Sequence, residues 1–275
     1  MQQNCLTNKS IVLTRTPEQS TAMTRALESL GARVISFPTI KLIEPPDESP
    51  IKQAIAQLDS YDWILFTSIN AVNRFFTYLP KGACCQHFPK IAVVGPSTAH
   101  ALELRGYRVE LMPETNFQAE GLVEAFETLS KGKISSKDSD ESRGHVLIPR
   151  ALEARDVLQG RLPKLGYEVT VAPIYETVQA NPSSADILSI ETADGIAFTS
   201  PSTVRNFIAI VDGSTGICAS TGTGAGISYL NGLKIFSIGA VTTAELYSNP
   251  IDRNHIFEAE ESTGESLVNL IAMKL

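Results

Sequence analysis

The sequence predicts an internally duplicated α/β protein of two doubly wound, parallel-sheet lobes. Three observations carry this. The chain repeats itself in three ordered segments, its strand candidates are continuous apolar runs, and each run leads into a helix-like segment.

The repeat is found by sliding the sequence on itself. At a shift of 135 residues, Ile11-Val12-Leu13-Thr14-Arg15 falls on Val146-Leu147-Ile148-Pro149-Arg150. The same shift places Leu30-Gly31 on Leu165-Gly166, Val34 on Val169 and Pro38 on Pro173. Each copy reads as an apolar strand ending in Arg, an amphipathic helix, a Gly stop and a second strand. A shift of 132 puts Asp62-Trp63-Ile64-Leu65-Phe66-Thr67-Ser68 on Asp194-Gly195-Ile196-Ala197-Phe198-Thr199-Ser200. A shift of 144 puts Lys90 through Gly95 on Lys234 through Gly239. Strands Ile64–Phe66, Ile91–Val94, Ile196–Phe198 and Ile235–Ile238 lack polar alternation, as expected of parallel strands covered on both faces.

Between the repeats the chain is polar. Lys131 to Gly144 reads as a surface loop, and so does the Gly/Ser/Thr-rich stretch Asp212 to Gly226. The latter contains Gly222-Thr223-Gly224-Ala225-Gly226 but lacks the Lys and hydroxyl ending of a phosphate loop.

Composition removes several function classes. A net charge of −7 argues against nucleic acid as a partner. No apolar run reaches membrane-spanning length, and the first residues lack a basic segment followed by an apolar core. The expectation is therefore a cytoplasmic protein without a membrane partner. Cys5, Cys84, Cys85 and Cys218 form no C-x-x-C pair and read as free thiols of a reducing compartment. His87, His100, His145 and His255 are scattered without metal spacing, so no metal site is expected. No nucleophile–base motif and no dinucleotide glycine fingerprint stands in a credible context.

Ligands of open parallel sheets bind beyond the carboxyl ends of the strands. Four loops there carry small hydroxyl or Gly residues. They are Thr67-Ser68-Ile69-Asn70, Gly95-Pro96-Ser97-Thr98, Thr199-Ser200-Pro201-Ser202 and Gly239-Ala240-Val241-Thr242. Pro96 and Pro201 suit the first helical position, making Gly95 and Ser200 N-caps. Helix entries with free N–H groups suit carboxylates or phosphates, although N-cap hydroxyls also occur simply because they stabilise helices by about 1 kcal/mol. Arg15 and Arg150 hold matching positions, which suit either a salt bridge or a cation facing an anionic ligand. Tyr175 replaces its repeat mate Ile40, so its hydroxyl is not required by the repeat. It fits either a packed linker tyrosine or a site residue.

These segments, taken in order, resemble the uroporphyrinogen-III synthase family. The resemblance is carried by Ile11–Arg15, Phe66-Thr67-Ser68 with Ala71-Val72, and Val94-Gly95-Pro96-Ser97-Thr98. Pro173-Ile174-Tyr175-Glu176-Thr177, Phe198 through Ser202, Ile238-Gly239 with Thr242, and Glu261-Ser262-Thr263-Gly264 extend it over nearly the whole chain. It implies a lyase that cyclises hydroxymethylbilane, a linear tetrapyrrole bearing eight carboxylates, to uroporphyrinogen III in haem biosynthesis. Ring D is inverted and water is released. No cofactor is implied, and a monomer is expected; a non-catalytic binding module of the same fold is the alternative.

The resemblance also implies a discontinuous fold. One lobe comprises residues 1–38 with 178–275, the other 43–172, and residues 39–42 and 173–177 serve as linker strands. Tyr175 corresponds to the tyrosine proposed in the family to assist departure of the substrate hydroxyl. Thr67, Ser68, Thr98, Ser200, Ser202 and Thr242 would orient acetate and propionate groups. Ile69-Asn70 stands where many members have a basic residue or Pro.

Overall fold

The computed structural model of the chain describes residues 4–80, 88–131, 142–214 and 225–275. The chain opens with strand β1 (Ser10–Leu13), helix α1 (Pro17–Ser29) and strand β2 (Arg33–Ser36). Next come β3 (Ile40–Ile43), α2 (Ser49–Ala56), β4 (Trp63–Phe66), α3 (Ile69–Tyr78), β5 (Lys90–Val93), α4 (Pro96–Glu103) and α5 (Ala119–Lys131). The middle closes with β6 (His145–Ala151), α6 (Val157–Arg161) and the long β7 (Glu168–Gln179). The last part is α7 (Ser184–Ile190), β8 (Gly195–Phe198), α8 (Pro201–Ser214), α9 (Ala225–Asn231), β9 (Lys234–Ser237), α10 (Ala240–Tyr247), β10 (Ile256–Glu258) and α11 (Gly264–Lys274).

The chain divides into two compact units, Met1–Lys41 with Val178–Leu275, and Leu42–Thr177. Both crossings of the chain fall within strands, β3 and β7. The first unit holds a sheet of order β10-β9-β8-β1-β2, parallel throughout. The second holds β3-β7-β6-β4-β5, parallel from β7 to β5. In both, the direction of winding reverses once, between β8 and β1 and between β6 and β4. The doubly wound class expected from the apolar runs is therefore present in each unit.

The runs lack alternation because both sheet faces are covered. In the first unit Val12, Ile196, Phe198 and Ile235 pack into one core, while Ile11, Leu13, Ala197 and Phe236 pack into another. In the second unit Ile64, Phe66, Ile91 and Val93 separate in the same way from Trp63, Leu65, Ala92 and Val146. Successive strand side chains point to opposite faces, so every position meets a helix. Each fully buried aliphatic or Phe side chain contributes about 1.5–3 kcal/mol of transfer free energy.

Two expectations about the elements need correction. The second copy of the first repeat does not hold a helix like the 13-residue α1; α6 has five residues, followed by a 3-10 turn over Pro163–Leu165. Gly160 lowers helix propensity there, and Pro163 cannot donate to an α-helical ladder. The polar stretch from Asp212 also begins as helix, since α8 runs to Ser214, and Ala225 and Gly226 open α9. Residues 215–224 between them, and 132–141 of the other polar stretch, lie outside the described residues, as do Cys84, Cys85, Cys218 and His87.

Candidate active site: helix entries at the carboxyl ends of the strands

The second unit brings several of the expected residues together. Strand β4 ends at Phe66, and Ser68 caps α3, its hydroxyl accepting a hydrogen bond from the Ala71 N–H at 3.1 Å. The same hydroxyl lies 3.3 Å from the Tyr175 hydroxyl, and either can donate. Tyr175 reaches this place because the register of β7 against β6 slips between Arg150 and Ala151, setting Ala151 opposite Tyr175. Such a slip re-aims the side chains that follow it. The Tyr175 ring lies buried in the core with Phe66, Val72 and Ile174, which is the packed-linker reading of this tyrosine. Its ring is packed, while its hydroxyl meets a helix N-terminus.

Thr67 is exposed just before that cap, and Asn70 is half-buried in the first turn of α3. One strand further along, Gly95 caps α4 with Pro96 at the first helical position, as expected. Its N–H-rich entry carries exposed Ser97 and buried Thr98, and Phe117 lies over it, with its Cβ 3.3 Å from where a Gly95 Cβ would stand.

The first unit repeats the arrangement with different details. Ser200 precedes α8, its hydroxyl accepting from the Thr203 N–H at 3.3 Å and lying 2.9 Å from the exposed Ser202 hydroxyl. Thr199 places its Oγ1 in a buried position with no hydrogen-bond partner. Gly239 caps α10, with Thr242 buried in the first turn. A Cβ at Gly239 would stand against the Ser262 hydroxyl, which packs closely over this helix entry. The Ser237 hydroxyl donates to the Gly239 carbonyl and accepts from Thr243, which fixes this loop.

The arginines differ. Arg150 donates to Asp156 Oδ1 at 2.8 Å and to the Arg155 carbonyl at 3.2 Å, which is the salt-bridge reading. Arg15 is half-buried and has no hydrogen bond or ion pair with any described residue. Burial pushes its pKa below the ordinary arginine value.

Sequence reasoning missed two sets of residues. Asp62 and Asp194 hold the start of the neighbouring strand: Asp62 accepts from the His145 N–H at 2.7 Å and Asp194 from the Ser10 N–H at 2.8 Å. Their matching place in the repeat was the available signal. Thr16 was also missed; it is the N-cap of α1, and its buried Oγ1 lacks a partner. A Thr directly before Pro17 marks such a cap in the sequence.

Taken together, this is a duplicated, doubly wound α/β protein whose polar groups gather at helix entries beyond the strand ends. Comparisons with known proteins narrow the class. The profile of "Uroporphyrinogen-III synthase HemD" matches residues 21–269. A putative uroporphyrinogen-III synthase of Methanothermobacter thermautotrophicus is 30% identical over 253 residues, covering 88% of this chain and 90% of the relative. A uroporphyrinogen-III synthase of Synechococcus elongatus is 30% identical over 248 residues, covering 88% and 87%. The crystal structure of uroporphyrinogen-III synthetase from Helicobacter pylori aligns with a TM-score of 0.59 at 17% identity, over 96% of this chain and 99% of that one. That last likeness concerns the fold. The chain belongs to the uroporphyrinogen-III synthase family.

Proposed function

We propose that this chain is a lyase closing hydroxymethylbilane into uroporphyrinogen III, with ring D inverted and one water released. Family membership over nearly the whole chain supports the reaction. The observation that carries the site is the Tyr175–Ser68 hydroxyl pair at the N-terminus of α3. In this reading the pair donates a hydrogen bond to the departing hydroxyl of the substrate, which leaves as water. The resulting azafulvene is attacked by the substituted carbon of ring D, giving a spiro intermediate that reopens and recloses with that ring inverted. Thr67, Asn70, Gly95, Ser97, Thr98, Thr199, Ser200, Ser202, Gly239 and Thr242 supply hydroxyl and N–H groups to the acetate and propionate arms. Helix entries suit these arms despite the chain's negative net charge, because their attraction is local.

Holding the curled bilane and excluding water accounts for much of the rate, with no nucleophile, metal or cofactor required. The protein is read as a cytoplasmic monomer; among the described residues no helix is long and apolar enough to cross a membrane. A coupled assay that separates the type III isomer from the spontaneously formed type I isomer tests the function. Type III product is expected; folded protein yielding type I alone would refute it.

A further inference from the structure

The two copies of the first repeat part company where one of them carries Tyr175. In the first copy β1 leads through Thr14, Arg15 and Thr16 into α1, and the residue matching Tyr175 is Ile40. In the second copy residues 152–156 stand between β6 and α6, the register slips between Arg150 and Ala151, and the tyrosine follows the slip. The added loop also touches the tyrosine, since the Leu152 N–H donates to the Tyr175 carbonyl at 2.8 Å.

Residues 152–156 are all exposed, so burial does not fix them. Arg150 does. Its guanidinium donates through Nη1 to the Arg155 carbonyl at 3.2 Å and through Nη2 to Asp156 Oδ1 at 2.8 Å, closing the loop on its own stem. The Arg150 side chain is only 14% exposed, and its Nε is buried without a hydrogen bond. Desolvating a guanidinium is costly, and one ion pair to an exposed carboxylate offsets that incompletely. Asp156 occupies the N-cap of α6, yet its side chain makes no cap and turns to Arg150 instead. Both sacrifices fall on the one contact that ties the loop. A second tether joins Arg155 Nη1 to Glu120 Oε1 at the start of α5, but at 3.7 Å and with Arg155 exposed it adds little.

The far end of this chain of contacts is the Tyr175 hydroxyl, 3.3 Å from that of Ser68. The core confines the ring, while the height of the hydroxyl over the α3 entry follows the main chain from which the ring hangs.

We propose that Arg150 is a positioning residue. By holding loop 152–156 it fixes the main chain of Tyr175, and with it the hydroxyl that meets Ser68. The use of that hydroxyl on the departing group rests on the synthase reading; the tether does not. Arg150 takes no arm of the substrate and acts through Tyr175.

Steady-state kinetics with hydroxymethylbilane compare the intact protein with Arg150→Gln, Arg150→Lys and Asp156→Asn. Arg150→Gln should lower kcat about three- to tenfold with KM within about twofold. Arg150→Lys keeps the charge without the fork and should recover part of that loss. Asp156→Asn, a change at an exposed position, should lower kcat in the same direction by less. In a Tyr175→Phe background Arg150→Gln should change kcat by less than about twofold, because the hydroxyl it aims is gone. A separate arm follows amide hydrogen exchange. The Leu152 amide should exchange about tenfold faster or more in Arg150→Gln, while amides deeper in the β6–β7 ladder keep their rates. This arm tests the tether even if the unaltered protein forms no type III isomer, so loss of the synthase reading and loss of the positioning role give different results. Unchanged Leu152 exchange would overturn the proposal. So would a raised KM with unchanged kcat, which would make Arg150 a substrate contact, or an equal loss of kcat with and without the Tyr175 hydroxyl. Should Arg150→Gln fail to fold, Asp156→Asn carries both arms, and unchanged kcat with unchanged Leu152 exchange in that variant overturns the proposal equally.

Discussion

At the scale of single residues, Ser68 serves two ends: it caps α3 and meets Tyr175. Ser68→Ala should lose about 1 kcal/mol of stability in urea unfolding through the lost cap, and should also slow turnover. Tyr175→Phe keeps the packed ring and removes only the hydroxyl, so it should fold normally and lose turnover by about 10- to 100-fold, short of abolition. Abolished turnover in a well-folded Tyr175→Phe would show that this one hydroxyl outweighs positioning. Asp194 offers a separate reading by pH. Burial opposes its charge, but hydrogen bonds from the Ser10 N–H, the Lys9 ammonium and the Ser10 hydroxyl outweigh that and hold its carboxyl below the ordinary value of 3.8. The unfolded chain then binds the extra proton, so the stability it contributes is present above that value and is lost as pH falls through the folded pKa. Melting curves between about pH 5 and about pH 3 should fall less steeply for Asp194→Asn than for the unaltered protein. The helix-entry residues could be read from the sequence as candidates, because strand ends and caps have local signatures, whereas Tyr175, inside a strand, became one only through the family resemblance. The fates of Arg15 and Arg150 could not. Asp156 falls opposite Thr21 in the repeat, and its significance depends on residues 152–156 forming a loop where the first copy has helix.

At the scale of elements, the four strands β4, β5, β8 and β9 were legible almost to the residue, because burial on both faces leaves an unbroken apolar run, whereas the short, partly exposed β10 left no such run. Helices were less legible, since the repeat suggested one of full length where α6 makes barely a turn. A single apolar stripe is a weaker constraint than a strand closed in by two cores, and Gly160 with Pro163 decides the outcome locally. Gly160 is exposed, and a Cβ there would meet nothing within 4 Å. Gly160→Ala should therefore stabilise the protein by about 0.5–1 kcal/mol, seen as a higher urea midpoint. Gly144 is the opposite case. Its φ is +126°, and a Cβ would stand 2.6 Å from Asp62 Oδ2, the carboxylate that holds the start of β6. Gly144→Ala should cost at least about 1 kcal/mol, measured in the same way. The first copy has Lys9 at this place, and its ammonium pairs with Asp194 at 3.1 Å, so the same strand anchor is completed differently in each unit.

At the scale of the whole molecule, the duplication was legible, but a linear repeat does not state which segments share a sheet. The structure seats β1 between β2 and β8, so the first unit is completed only by the last part of the chain. The Thr14 hydroxyl donates to a carbonyl 183 residues away, at Ala197. On a ribosome adding roughly 5–20 residues per second, β1 emerges roughly 10–40 s before its neighbour β8 exists. By the end of that interval the continuous unit Leu42–Thr177 has every strand it needs, while the apolar run Ile11-Val12-Leu13 has waited with one edge bare. Birth order thus inverts chain order: the part made first is finished last. Holding that early strand away from wrong partners is a demand placed on the cell each time this protein is made.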